Sequence, residues 1–377
     1  MSDFRVPELT VIVPALNAVG TVRRVFEAVI ASDLPRERYE LILVDDGSTD
    51  ETSLVGAEFC DRVVRLSGRP HGPAFARNRA AEVARGEVLV FVDADVVPHP
   101  DALRRIAEHF RADPALASVF GSYDAQPEAP GLVSQYRNLM HHYVHHRSAG
   151  AAQTFWAGLG AIRRADFLTV GMFDEWHYGR PQIEDIELGR RLRRTGHPIL
   201  LDPTIQGTHL KRWTVKNTLL GDFQHRGVPW MWLILVEESP DKAQTLNVRH
   251  IEKVLTGMAG MALLMPLLAA VLRAWWPLWI AAAVAGCILV ANLGFYRFLT
   301  RVRGRIFALA VAPMHLAYYA FNALAVVSGW AIHTLFGEPI PPADVTAHAQ
   351  MGIATWPPPP RRSEQSIWDK PTGDPTR

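Results

Sequence analysis

At 377 residues, 49% of them hydrophobic, the chain is too long for one ordinary domain, and it can bury a core and still have apolar segments to spare. A formal net charge of +1 carries no electrostatic footprint for nucleic acid and excludes that partner. Cys60 and Cys287, the second inside an apolar segment, suit a reducing compartment without disulfides.

In chain order, the first apolar run is a strand and not a signal peptide. Leu9-Thr-Val-Ile-Val13 is β-branched, ends at Pro14-Ala15-Leu16-Asn17, and is followed by a helical pattern through Val22, Val25, Phe26 and Val29. A second strand, Glu40-Leu-Ile-Leu-Val44, ends in Asp45-Asp46-Gly47-Ser48-Thr49-Asp50, where Asp46 and Asp50 read as helix caps or as ligand acceptors. Arg77 lies near the start of the next helix, as a surface arginine or as a phosphate contact. The run Val88-Leu-Val-Phe-Val92 is apolar at every position, as a parallel strand buried on both faces is, and it breaks off into Asp93-Ala94-Asp95. In an extended chain residues i and i+2 point the same way, so Asp93 and Asp95 converge on one divalent cation; the same tripeptide also suits a turn or a cap.

Further on, Phe155 to Arg164 holds Gly158, a small residue beside the backbone, and Trp156, which offers a flat face or fills the core. The histidines of His141-His142-Tyr143-Val144-His145-His146 point in different directions on a helix, so they are read as surface or acceptor-channel material. Gln182 to Leu192 is a helix with an acidic start, an apolar face at Leu188 and Leu192, and a stop at Arg193, Arg194 and Gly196. A short strand around Pro198 to Leu201 precedes His209.

Taken together, Ile12-Val13-Pro14 with Asn17, Val44 to Asp50, Ala76-Arg77-Asn78, Gly86-Glu87, Asp93-Ala94-Asp95, and Glu184-Asp185 with Leu188, Arg191 and Leu192 resemble the family 2 glycosyltransferases of the GT-A fold, over roughly residues 7 to 235. The resemblance implies an α/β fold with a mostly parallel sheet and flanking helices. It implies a nucleotide-diphosphate sugar donor contacted by Pro14, Leu16, Asn17, Asp46, Arg77 and Asp93, and a divalent cation, Mn²⁺ or Mg²⁺, on Asp95 and His209, where a nitrogen ligand favours Mn²⁺. Asp185 takes the position of the catalytic base, and a carboxylate at the positive end of a helix is expected to stay ionised at neutral pH. Trp156, Gly158 and Glu184 fall on the acceptor side. Two departures matter: Leu16 stands where relatives often carry an aromatic, and the Q-x-x-R-W motif of processive members is missing, since only Lys211-Arg212-Trp213 and Gln224 to Trp230 come near it.

After about residue 250 the composition turns apolar. Ile251 to Leu272, Trp275 to Leu299 and Arg305 to Phe336 are each long enough to cross about 30 Å of hydrocarbon, with Trp275, Trp276, Trp279 and Trp330 near their ends as interface anchors. The expected division is a transferase domain over 1–210, amphipathic interface helices over 211–250, about three spans over 251–336, and an irregular Pro-rich tail over 337–377. Arg297, Arg301, Arg303 and Arg305 crowd one loop, which orients that loop, and the catalytic domain with it, to the cytoplasm of an inner or plasma membrane. Pro313, His315, Tyr318, Tyr319 and Asn322 leave open a re-entrant third segment whose polar groups line a lipid-acceptor groove. The expectation is an inverting, metal-dependent transferase that adds one sugar to a hydroxyl of a membrane-associated, lipid-linked acceptor; the rivals are a processive synthase and a catalytically silent sugar-nucleotide-binding scaffold.

Overall fold

A computed structural model describes residues 6–236 and 250–337, so residues 237–249 of the expected linker, Arg249 among them, and the expected tail from 338 on lie outside the described residues. The N-terminal part is built from β1 (Leu9–Ala15), α1 (Val19–Ile30), β2 (Tyr39–Asp45), α2 (Thr52–Phe59), β3 (Arg62–Arg65), α3 (Pro73–Val83) and β4 (Val88–Val92). It continues through β5 (Val96–Pro98), α4 (Ala102–Ala112), β6 (Ser118–Tyr123), α5 (Leu132–Arg147), β7 (Gly150–Ala151), β8 (Leu159–Arg163), α6 (Arg164–Thr169), α7 (Glu184–Arg194) and β9 (Ile199–His209). One sheet runs in the order β3-β2-β1-β4-β8-β6-β9-β5, with β7 on β9.

The strands β1 to β4 pair in parallel, and β8 enters antiparallel between β4 and β6. Every residue of β2 and β4 is buried, because helices cover both faces. Val11, Val13 and Val90 pack toward α1 and α4, whereas Ile12, Val44 and Phe91 pack toward Ala76 and Ala80 of α3 and Leu188 and Leu192 of α7. Each such buried side chain contributes about 1.5–3 kcal/mol, so register is fixed where β1, β2 and β4 end side by side. The loops 14–17, 45–50 and 93–95 are thereby brought to one edge of the sheet.

The strand expected around Pro198 to Leu201 is longer than its sequence suggests. It continues as β9 to His209, with a register shift opposite Phe120 and Ser122, and its last residue pairs with Val96.

Beyond the sheet, α8 (Val215–Leu220) runs through a π-helical stretch, Gly221–Gly227, into α9 (Val228–Val236). The helices α10 (His250–Leu272), α11 (Trp276–Ala291), α12 (Leu293–Arg303) and α13 (Arg305–Phe336) follow. The helices α10 and α13 are each long and apolar enough to cross a membrane. The expected second span is not straight: α11 and α12 meet at a 63° bend after Asn292. Its cause is amphipathicity, since Phe295 and Leu299 on α12 pack onto Tyr136 and Leu139 of α5 while Arg303 donates to Gln135 at 2.8 Å. Gly294 permits this approach, because a Cβ there would lie 2.7 Å from the Tyr143 hydroxyl. The third apolar segment is one helix with Pro313 inside it, and its first turns pack on the same α5 and α12 surface through Ala308 and Val311.

Candidate active site

At the end of β4, Asp93 is tied to the sheet by its backbone N–H, which donates to the Gly158 carbonyl at 3.1 Å. Its carboxylate accepts from Arg77 at 2.7 Å, and the other arm of the same guanidinium donates to Glu184 at 2.8 Å. Arg77 is buried, so it is not a surface residue; it bridges β4 to the start of α7 and lines the cavity. Its neighbour Asn78 performs a parallel task, donating to the Phe173 carbonyl at 2.9 Å and accepting from the Phe173 N–H at 3.0 Å. Glu184 accepts from the Gln182 N–H with its second oxygen at 3.0 Å, so both of its oxygens are engaged.

Two residues beyond Asp93, Asp95 faces His209, with Nε2 3.6 Å from its carboxylate. The β5–β9 pairing produces this meeting, reinforced by the Leu210 N–H donating to the Asp95 carbonyl at 2.8 Å. Asn138 fixes the imidazole: its amide donates to the Ser134 carbonyl, which leaves its oxygen to accept from His209 Nδ1–H at 2.7 Å. The lone pair on Nε2 is therefore aimed at a carboxylate, an arrangement of two electron donors that fits a divalent cation held by Asp95 and His209 with Asn138 setting the tautomer. Among the described residues no three His, Cys, Asp or Glu side chains form a ready-made metal site, so the chain offers two ligands.

Asp185 is half-buried at the start of α7, accepting from the Ala157 N–H at 3.1 Å and the Ile186 N–H at 2.8 Å. Burial, with Glu184 alongside, pushes its carboxyl up to about 7, above what the helix end alone suggests. A carboxylate near neutrality is a stronger base than one at an ordinary value and is still substantially ionised at pH 7.

Trp156 leans over Gly158, where a Cβ would fall 2.4 Å from the indole; the glycine makes room for the tryptophan. The indole meets Tyr123 at 4.9 Å and His141 at 4.6 Å between ring centroids. His142 and His145 are buried and bond the Tyr123 and Gly121 carbonyls at 2.8 Å, so only part of the histidine cluster is surface, while His141 and His145 line the cavity.

Pro14, Leu16 and Asn17 line the same cavity. Asn17, at φ 50°, accepts from the Thr49 N–H at 2.8 Å and stitches the β1 and β2 loops together. Asp46 lies behind this wall: it is buried and accepts from the N–H groups of His71 at 2.9 Å and Gly72 at 2.7 Å, fixing the entry to α3. Asp50 caps the Val19 and Thr52 N–H groups at 3.2 and 3.0 Å.

The cavity has a volume of about 1840 Å³ and reaches from Asp93, Asp95 and Asp185 to α9, α10 and α13. Sequence reasoning missed Tyr123, which stacks on His209 at 4.3 Å, because its partner lies on β9, far along the chain. It also missed Asp222, which gains meaning only once the π-helical stretch brings it to Arg137, and it read Arg226 only as part of an amphipathic segment lying on the membrane or closing over the site.

Residues 10–174 match the family model described as Glycosyl transferase family 2. A succinoglycan biosynthesis protein of Rhizobium meliloti is 38% identical over 117 residues, 30% of this chain and 32% of that protein. A validoxylamine A glucosyltransferase of Streptomyces hygroscopicus subsp. jinggangensis is 29% identical over 226 residues, 52% of this chain and 53% of that protein. The chain thus spans about a third to a half of the length of these curated relatives. A mannosyltransferase from Pyrobaculum calidifontis, solved with GDP-Man and Mn²⁺, superposes with a TM-score of 0.57 over 89% of both chains at 21% identity, which shows the GT-A-type fold.

Proposed function

We propose, from the premise that residues 10–174 are a glycosyl transferase family 2 domain, that the chain is an inverting, divalent-cation-dependent glycosyltransferase. It moves one sugar from a nucleotide-diphosphate sugar to a hydroxyl of a membrane-associated, lipid-linked acceptor. The observation that carries this reading is that Asp185, tuned to about 7, and the Asp95–His209 pair line one cavity that continues between apolar helices.

In the reaction Asp185 takes the proton of the acceptor hydroxyl as its oxygen bonds to the anomeric carbon. The bond from that carbon to the diphosphate oxygen breaks, the electron pair leaves with the nucleoside diphosphate, and attack from the opposite side inverts the centre. The Ala157 N–H aims the base, and the Arg77 bridge holds Asp93 and Glu184 rigid around the donor. Asp95 and His209 would hold a Mn²⁺ or Mg²⁺ ion, which would supply positive charge to the leaving group. The absent Q-x-x-R-W motif supports single transfers.

We also take 1–210 as the catalytic unit and 251–336 as its membrane anchor, with α10 and α13 crossing and α12 lying on the catalytic side. Contact of the arginine-bearing α12 with α5 supports a cytoplasmic orientation for both. Thermal stabilisation of the purified protein by a panel of nucleotide sugars, with and without Mn²⁺, tests the reading, because a ligand that binds only the folded state raises its stability. Metal-dependent stabilisation by one donor is expected; no stabilisation by any of them would overturn it.

A further inference from the structure

Resting on that reading, we propose that the acceptor is a phosphate-linked lipid whose phosphate is held at Arg226 and whose hydrocarbon chain lies between α9, α10 and α13. The cavity is larger than one donor requires, since ligand sites typically measure about 300–1,000 Å³, and it is about 1840 Å³. Its far part is lined by Trp230 and Met231 of α9, Gly257 and Met261 of α10, and Ala323 and Val327 of α13. Met261 and Val327 are 59% and 63% exposed on the two helices that cross, so the far part of the cavity is apolar and continuous with the bilayer from which a hydrocarbon chain would enter. The groove has room at Gly257, where an added Cβ would meet nothing within 4 Å, and a floor at Gly260, where it would lie 3.3 Å from Ala323.

Where this apolar stretch gives way to the catalytic carboxylates, the walls turn cationic. Arg137 is bound through two bonds of 2.7 and 2.9 Å to Asp222, and both side chains are nearly buried. Arg226, four residues along the π-helical stretch, has only a 3.4 Å contact with the same carboxylate and remains 45% exposed. It also lies 5.7 Å from the Trp213 ring, which carries Lys211 at 4.7 Å and Arg137 at 5.5 Å as well. Of the three cations around this indole, Arg137 and Arg226 share the single carboxylate of Asp222, so the boundary has positive charge left over for an anion. Lys211 follows the end of β9, two residues from His209, which assigns it to the donor end, whereas Arg226 belongs to the helical run that enters the groove. A phosphate between head and chain satisfies both halves: charge at Arg226, hydrocarbon along Gly257, and the head hydroxyls toward Asp185.

The test uses the full chain in phosphatidylcholine nanodiscs with hexadecyl phosphate, hexadecanol and inorganic phosphate as probes, reading the shift of the unfolding midpoint against probe concentration. Hexadecyl phosphate is expected to bind at least about tenfold more tightly than hexadecanol, the worth of one charge-assisted hydrogen bond. Arg226→Gln should remove that preference and Arg226→Lys restore part of it. Gly257→Phe, which fills open space, should weaken both amphiphiles. Equal binding of phosphate and alcohol, or Arg226→Gln behaving as wild type, overturns the proposal; so does inorganic phosphate competing as well as its hexadecyl ester, which would return Arg226 to the donor diphosphate. Nucleotide-sugar stabilisation of the same variants separates the two readings. If it persists while alkyl phosphate fails, only the lipid assignment falls, and if no nucleotide sugar binds, the transferase reading falls with it.

Discussion

On one side the cavity is walled by strand ends and on the other by helix faces, and the two differ in what fixes a side chain. On the first side, Asp93 and Asp95 after β4 and Asp185 at the start of α7 are each anchored by a backbone bond to a neighbouring strand or loop, and Arg77 spans two carboxylates with almost no exposure. On the helix side, Arg226 keeps one long contact and 45% exposure, and the apolar lining is open. Reacting groups need placement to within a fraction of an ångström, whereas an amphiphile needs surface and charge of the right sign. The rigid wall suits chemistry and the adaptable wall suits a lipid.

Substitutions at the rigid wall should therefore act on chemistry and stability far more than those at the other. The largest effect is expected for Asp95→Ala, which should abolish Mn²⁺-dependent donor binding in calorimetry while the fold persists; an unchanged metal requirement would break the comparison at its strongest point. Asp185→Asn keeps shape but takes no proton, so kcat should fall about 10²- to 10⁴-fold with donor affinity little changed. Near-normal turnover would reject Asp185 as the base. His209→Ala and Asn138→Ala, ligand and tautomer setter, should weaken metal affinity by about 10- to 100-fold, measured by Mn²⁺ titration.

Stability draws the same line. Arg77→Ala strands Asp93 and Glu184 in a buried site and should cost about 3–5 kcal/mol in denaturant unfolding. Arg303→Ala on α12, whose side chain is exposed, should cost about 0–1 kcal/mol. A smaller and reversible effect is expected from pH. Because burial raises the Asp185 carboxyl to about 7 and only the ionised form accepts a proton, kcat/KM should rise with pH through about 7 and level off above it. An acidic limb near the ordinary carboxylate value of about 4 would show that donor or cation binding overrides the burial.

Much of the catalytic half was legible because burial leaves a local signature. A strand covered on both faces is apolar throughout, as Val88 to Val92 is, and a carboxylate directly after it must sit at the sheet edge. The sequence alone therefore determined the strands β1, β2 and β4, the edge on which the site lies, the candidate pair Asp93 and Asp95, and an acidic start to the helix that bears Asp185, whereas the short strands β3, β5, β6 and β7 carry no comparable signature. Only the tertiary structure decided which partners those groups take. Asp95 meets His209 through a strand pairing between residues more than a hundred positions apart, Asn138 sets the imidazole from a third element, and Asp46 spends its oxygens on the loop before α3. The bend after Asn292 and the placing of Arg226 beside Asp222 have the same origin. Periodicity records which face of a helix is apolar, but which neighbour covers that face depends on contacts between distant segments.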